Sequence, residues 1–229
     1  MQVLALDNGA YKTPGMLHFE RVFSHKQLRP KYFDPESTEA IKEGRMRITP
    51  GEVYYRQEIK PAAGSSETPL VKVSDVEVVG HRNINNGMLN SFQYFITEGI
   101  RLGYNLETTN EAGGNLPLEL VRNYSSKYDL FPNVLKDANF RIAQEGQGQM
   151  FNYAIRNMLV GVEQRGLKLQ ADSLQLPTPF IIKPKIKLDV KLIYPETGPS
   201  ADPTDASVTG FRHYFEWSCR GIYLELTNR

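Results

Sequence analysis

The stretch Phe180–Tyr194, FIIKPKIKLDVKLIY, constrains the fold more than any other part of the chain. Ile182, Ile186, Leu188, Val190, Leu192 and Tyr194 share one parity, and Lys183, Lys185, Lys187, Asp189 and Lys191 share the other. Successive side chains of a strand point to opposite faces. A period of two therefore predicts one long strand, with one face on a core and a mostly basic face outward.

Other segments supply what such a strand would pack against. Val3–Leu6 reads as a short strand ended by the turn-type run Asp7-Asn8-Gly9. Leu17, Phe19 and Phe23 alternate with polar neighbours and predict a second strand. Residues 24–51 are dense in Lys, Arg, Pro and Glu with little periodicity, an irregular excursion. Val53–Ile59 and Leu70–Val79 read as strands, the latter with a bulge near Ser74-Asp75 where its apolar parity switches.

Met88, Phe92, Ile96 and Ile100 recur every four residues and predict a helix over Asn86–Leu102. A second helix is predicted over Pro117–Tyr128, with Asn115 as its cap. Beyond Phe140 the period returns to two at Phe151, Tyr153 and Ile155. Pro195–Thr209 reads as an exposed loop. Phe211–Leu226 predicts a final strand whose apolar parity reverses at Gly221, the expected bulge.

Composition narrows the class. With 229 residues the chain is long enough to bury a core, and 27 Lys and Arg against 26 Asp and Glu leave +1, too little for a strong global pull on nucleic acid. A single cysteine, Cys219, excludes an intramolecular disulfide framework and a cysteine-rich zinc site. No apolar run approaches the ~20 residues of a membrane span, and the first residues do not read as a signal peptide. The expected location is a virion or the cytoplasm.

No motif identifies a reaction. Gly146-Gln147-Gly148 is the nearest approach to a dinucleotide fingerprint, but Phe151 stands at the third glycine position. His18, His25, His81 and His213 lack metal-ligand spacing, and Asp34, Glu36, Glu39 and Glu43 read as a solvated charged segment. Cys219 lies on an apolar parity, as a small buried hydrophobe would. The expectation is therefore no enzyme, no cofactor and no metal. The lysines of 183–191 could track a phosphate backbone, or guard an edge strand against unwanted pairing.

Two resemblances add to this. Asn83-Ile84-Asn85-Asn86-Gly87-Met88-Leu89-Asn90-Ser91-Phe92 resembles the asparagine–leucine–serine–phenylalanine signature of jelly-roll capsid proteins in polinton-like and related DNA viruses. In that family the signature precedes a strand, in conflict with the helix predicted over Asn86–Leu102. Leu17-His18-Phe19-Glu20-Arg21, Leu120-Val121-Arg122-Asn123-Tyr124 and Arg156-Asn157 resemble, in order, segments of the RNA-binding backbone subunit of type I CRISPR effector complexes. That resemblance implies guide-RNA contacts at Arg122, Asn123 and Arg156.

The expected fold is one mainly β domain over residues 1–229, sandwich or jelly-roll-like, with two inserted helices and irregular excursions at 24–51 and 195–209; α+β is the alternative. The expected function is a non-enzymatic subunit of a larger assembly, a viral capsid or other virion component, whose partners are copies of itself or other subunits. The alternative is an RNA-binding backbone subunit. Candidate nucleic-acid or interface contacts are Lys183, Lys185, Lys187, Lys191, Arg122 and Arg156.

Overall fold

The computed structural model describes residues 12–59, 66–72, 74–108, 124–160, 169–170, 172–195 and 211–226. Three helices, α1 (Pro14–Ser24), α2 (Arg29–Tyr32) and α3 (Pro35–Lys42), precede the first described strand, and a short α4 (Asn133–Asp137) lies between strands. The strands are β1 (Met46–Glu58), β2 (Glu67–Pro69), β3 (Gln93–Thr108), β4 (Asn139–Gln144), β5 (Gly148–Ala154), β6 (Leu169–Gln170), β7 (Ser173–Ile182), β8 (Leu188–Ile193) and β9 (Phe211–Leu226). They form two antiparallel sheets, ordered β1-β9-β3-β7-β6 and β2-β8-β4-β5.

Apart from the two-residue β6, the pairing is nested. First pairs with last (β1–β9), second with second-last (β2–β8), third with third-last (β3–β7), and the middle two with each other (β4–β5). β9 also pairs β3, and β8 pairs β4, so the nested pairs fuse into two sheets. A single long hairpin rolled over on itself gives this order, which is that of a jelly roll. The chain is mainly β, as its periodicities predict.

Between the sheets lie Tyr55, Phe95, Leu102, Phe140, Leu188, Phe215 and Trp217. The other face of the five-stranded sheet carries a second core under the helices, with Phe19, Phe23, Phe33, Tyr94, Ile96, Ile222 and Leu224. That sheet is therefore buried on both sides at its helical end.

Double burial explains two departures from the predicted elements. Asn86–Leu102 is not a helix: β3 begins at Gln93, directly after the run that ends at Phe92. Tyr94 and Ile96 face the helices while Phe95 faces the other sheet. Past a bulge at Glu98 the inner residues become Ile100, Leu102 and Tyr104. Apolar residues on both faces plus a shift of parity imitate helical spacing.

In β9 the strand is as predicted but Gly221 is not its bulge, because the register with β1 runs unbroken through Gly51↔Gly221. Phe215, Trp217 and Cys219 face the other sheet, whereas Ile222 and Leu224 lie on the opposite face beneath the helices. The apolar parity changes because the cover changes.

Other expectations are corrected. Leu17–Phe23 is helical, not a strand: Thr13 caps α1, its hydroxyl accepting from the Met16 N–H, Pro14 opens it, and Phe19, Val22 and Phe23 form its buried stripe. Residues 24–51 hold α2, α3 and the start of β1 rather than an irregular excursion. Asp34 accepts from the Ser37 N–H at 2.7 Å to cap α3, and Pro35 opens it.

In the predicted strand Leu70–Val79, the described residues pass from β2 into turns, with Leu70 and Val71 buried but Val76 and Val79 exposed. Of the helix predicted over Pro117–Tyr128, residues 124–127 are extended, with Ser125 bridged to Tyr104 and Lys127 to Val160. The rest of that helix, the strand at Val3–Leu6 and nearly all of the loop at 195–209 lie outside the described residues.

Candidate functional site

Phe180–Tyr194 is two strands, not one. β7 ends at Ile182 in the five-stranded sheet and β8 begins at Leu188 in the four-stranded sheet, so 183–187 is the crossing between them. Leu188, Val190, Leu192 and Tyr194 are buried as predicted, whereas Ile186, at the crossing, is only half-buried. Lys185 adopts φ +56°, a left-handed turn conformation that breaks any continuous strand.

This breaks up the predicted basic face. Lys183 Nζ donates to the carbonyl of Lys31 and lies 5.8 Å from the Tyr32 ring centroid, and partial burial lowers its pKa. Lys191, in β8, donates to Glu67 at 2.8 Å and lies 3.6 Å from Asp189; the Glu67 hydrogen bond raises its pKa. Arg141 pairs Asp189 at 2.8 Å, which makes the region mixed in charge. Lys185 and Lys187 are exposed. Arg156 sits on a 3₁₀ turn and pairs Asp137, and Arg122 lies outside the described residues.

The crossing does bring two predicted features together. Lys185 N–H donates to the Leu89 carbonyl at 3.0 Å and Leu188 N–H to the Gly87 carbonyl at 2.9 Å, so the crossing lies along the asparagine-rich run. Lys185 Nζ is 5.9 Å from the Phe92 ring centroid, and Phe92 also has positive φ, +58°. Two bulky residues in the left-handed region are strained. Exposed Asn90, Ser91, Lys185 and Lys187 surround this corner.

A second polar site was missed in sequence because its members lie far apart along the chain. On the outer face of the five-stranded sheet, beyond the helices, Glu216 of β9 is nearly inaccessible and bonds Arg56 of β1 and Arg101 of β3. Arg101 Nε reaches Asp172 at 2.5 Å, Asp172 reaches Arg220 at 3.1 Å, and Arg220 lies 3.7 Å from Glu52. Burial works to raise the Asp172 pKa, but the hydrogen bond and charge of Arg101, with Arg220, hold it below the ordinary value. Three cations and three carboxylates alternate here, so each charge is paired and the row is a ladder across the sheet.

A cleft of about 520 Å³ is lined by Gln57, Ile59, Thr68, Lys72, Asp75 and Arg82, among others. The Tyr55 hydroxyl bonds Asp75 and accepts from Arg82 at 2.9 Å; burial, then Asp75, raises its pKa.

The remaining candidates have local roles. His25 Nδ1 accepts from the N–H groups of Gln27 and Leu28 at 3.3 Å, and buried His213 hydrogen-bonds the Tyr104 hydroxyl at 2.5 Å. Among the described residues no group of three or more His, Cys, Asp or Glu is placed to hold a metal ion. Cys219 is fully buried and its thiol is pushed up to about 12, so it is not a ready nucleophile. No described helix is long and apolar enough to cross a membrane.

No protein-family model matches the chain, and no curated protein matches it significantly. The functional reading therefore rests on topology and surface chemistry.

Proposed function

We propose that this chain is a non-enzymatic structural subunit of a larger assembly, a viral capsid or other virion component. The observation that carries the reading is the nested jelly-roll order of its strands. Jelly rolls recur as capsid domains, as lectin domains and as cupins. A ligand-holding member needs a cavity with a few convergent polar groups. Here the middle of the space between the sheets is filled by large apolar side chains, Tyr55, Phe140, Phe215 and Trp217 among them. In the cleft beside β1 and β2 the polar groups Asp75 and Arg82 pair with each other at 3.5 Å and with the Tyr55 hydroxyl. The capsid-like run Asn83–Phe92 leads directly into β3, the order the resemblance implies, which supports the same reading.

Sedimentation velocity over a wide concentration range, in low and high salt, tests this. Concentration-dependent growth beyond the monomer is expected. A strict monomer at high concentration in both salts would overturn self-assembly.

A further inference from the structure

An antiparallel two-sheet sandwich has four edges, each exposing a row of unpaired backbone groups that proteins normally protect. Three are blocked here. Along β1, Asn83 accepts from the Tyr54 N–H at 2.9 Å and donates to the Glu52 carbonyl at 2.6 Å, while Arg56 N–H donates to the His81 carbonyl at 2.7 Å. β2 is only three residues long and contains Pro69. β7 is capped at one end by β6, and Pro177 and Pro179 interrupt it where its pairing to β3 shifts.

Among the described residues β5 has neither a cover nor a proline; its one irregularity is a bulge at Met150, where its pairing to β4 shifts. It runs seven residues, GQMFNYA, without proline or charge, and among the described residues its only strand partner is β4. Gln149 and Asn152 are exposed, and half-buried Phe151 and Tyr153 extend the core's aromatic packing to this edge, with ring centroids 6.3 Å apart for Phe140–Phe151 and 6.1 Å for Phe151–Tyr153. Every second residue of such an edge strand points its N–H and C=O away from its one partner.

We infer that β5 is the contact strand of the assembly and that its occupant is β5 of a second copy, paired antiparallel about a twofold axis. The inference rests on the assembly reading above. Charge selects this occupant: an isologous contact places a surface against its own image, so any charge near the axis would meet its like. β5 carries none, and Gln149 and Asn152 have amides that both donate and accept. At one end of the strand Arg156 and Asp137 neutralise each other. The pairing joins two four-stranded sheets into one continuous sheet.

The test uses the whole chain and two variants, Gln149→Lys/Asn152→Lys and Gln149→Glu/Asn152→Glu. Each alone is expected to self-associate at least about tenfold more weakly than the parent, through like-charge juxtaposition. An equimolar mixture is expected to recover association. In the parent, amide exchange within residues 149–153 is expected to slow as concentration rises, a readout that survives if a variant fails to fold.

Variants that associate like the parent, or exchange at 149–153 that ignores concentration while the chain assembles, would remove β5 as the contact and leave the assembly reading intact. Weak variants that the mixture does not rescue would exclude the twofold arrangement. A parent monomeric throughout would take down the assembly reading itself, and this inference with it.

Discussion

At Gly221 the β3 backbone passes so close that a Cβ would overlap the Ile96 carbonyl oxygen. Gly221→Ala is expected to cost about 1–3 kcal/mol, because the clash is with backbone that cannot swing aside; urea unfolding measures it. Leu188 is fully buried whereas its neighbour Lys187 is exposed. Leu188→Asp should therefore unfold the protein, since an uncompensated buried charge costs several kcal/mol, and Lys187→Asp should leave the melting temperature nearly unchanged. Equal effects would overturn the assigned parity. Two carboxylates set an acid limit. Burial works to raise the Asp34 pKa, but hydrogen bonds from Ser37 and Tyr94 bring it below the ordinary value. Asp172 is held down in the same direction by its arginines. With folded values below the unfolded value of 3.8, their contribution is fully present above that pH and is lost as the pH falls through the lower folded values. Melting followed from pH 6 downward, as about two units on either side of the ordinary carboxylate value, should show the loss. Asp172→Asn should lower stability at neutral pH and shrink the acid-dependent drop.

Element by element, the bulge in β3 also docks the helical layer. Glu98, the extra residue in its ladder, accepts hydrogen bonds from the Thr13 hydroxyl and, at 2.7 Å, from the Gly15 N–H at the start of α1. A carboxylate there satisfies an end-of-helix donor and meets the positive end of the helix dipole. Tyr94, four residues earlier, donates to Asp34 at 2.6 Å and so ties β3 to the cap of α3. Glu98→Ala is expected to cost about 0.5–2 kcal/mol, as loss of a helix cap does. Amide exchange should show α1 losing protection before β3 and β9. If α1 and the sheet lost protection together, Glu98 would not be acting as a dock. Both α1 and α3 announce themselves in sequence as cap–proline pairs, Thr13-Pro14 and Asp34-Pro35. The alternation of Leu17, Phe19 and Phe23 hid the first, and the charge density of 24–51 hid the second.

For the molecule as a whole, the RNA-binding alternative now depends on fewer groups. Arg156 pairs Asp137, and Arg122 lies outside the described residues. Among the lysines, Lys191 is committed to Glu67 and Asp189, and Lys183 to the end of α2, which leaves Lys185 and Lys187 as the exposed pair. If they contact phosphates, the slope of log affinity against log salt for single-stranded RNA should flatten by about 1.4 on changing both to Gln. A structural subunit that does not use them should show weak binding, or binding that ignores the change, while self-association persists. No measurable binding at low salt would remove the RNA alternative. The sequence alone determined what local backbone geometry dictates: the β class, β1 from Val53, the whole of β9, and the inward parity of Leu188, Val190, Leu192 and Tyr194. A two-residue period needs no knowledge of what lies opposite. Tertiary structure alone decided what covers each face, and hence that β3 is a strand, that β9 changes cover at Gly221 without a bulge, and that 183–187 crosses between sheets. The ion-pair ladder was out of reach for the same reason: Arg56 and Glu216 are 160 residues apart and meet only because the first strand of a jelly roll pairs with the last.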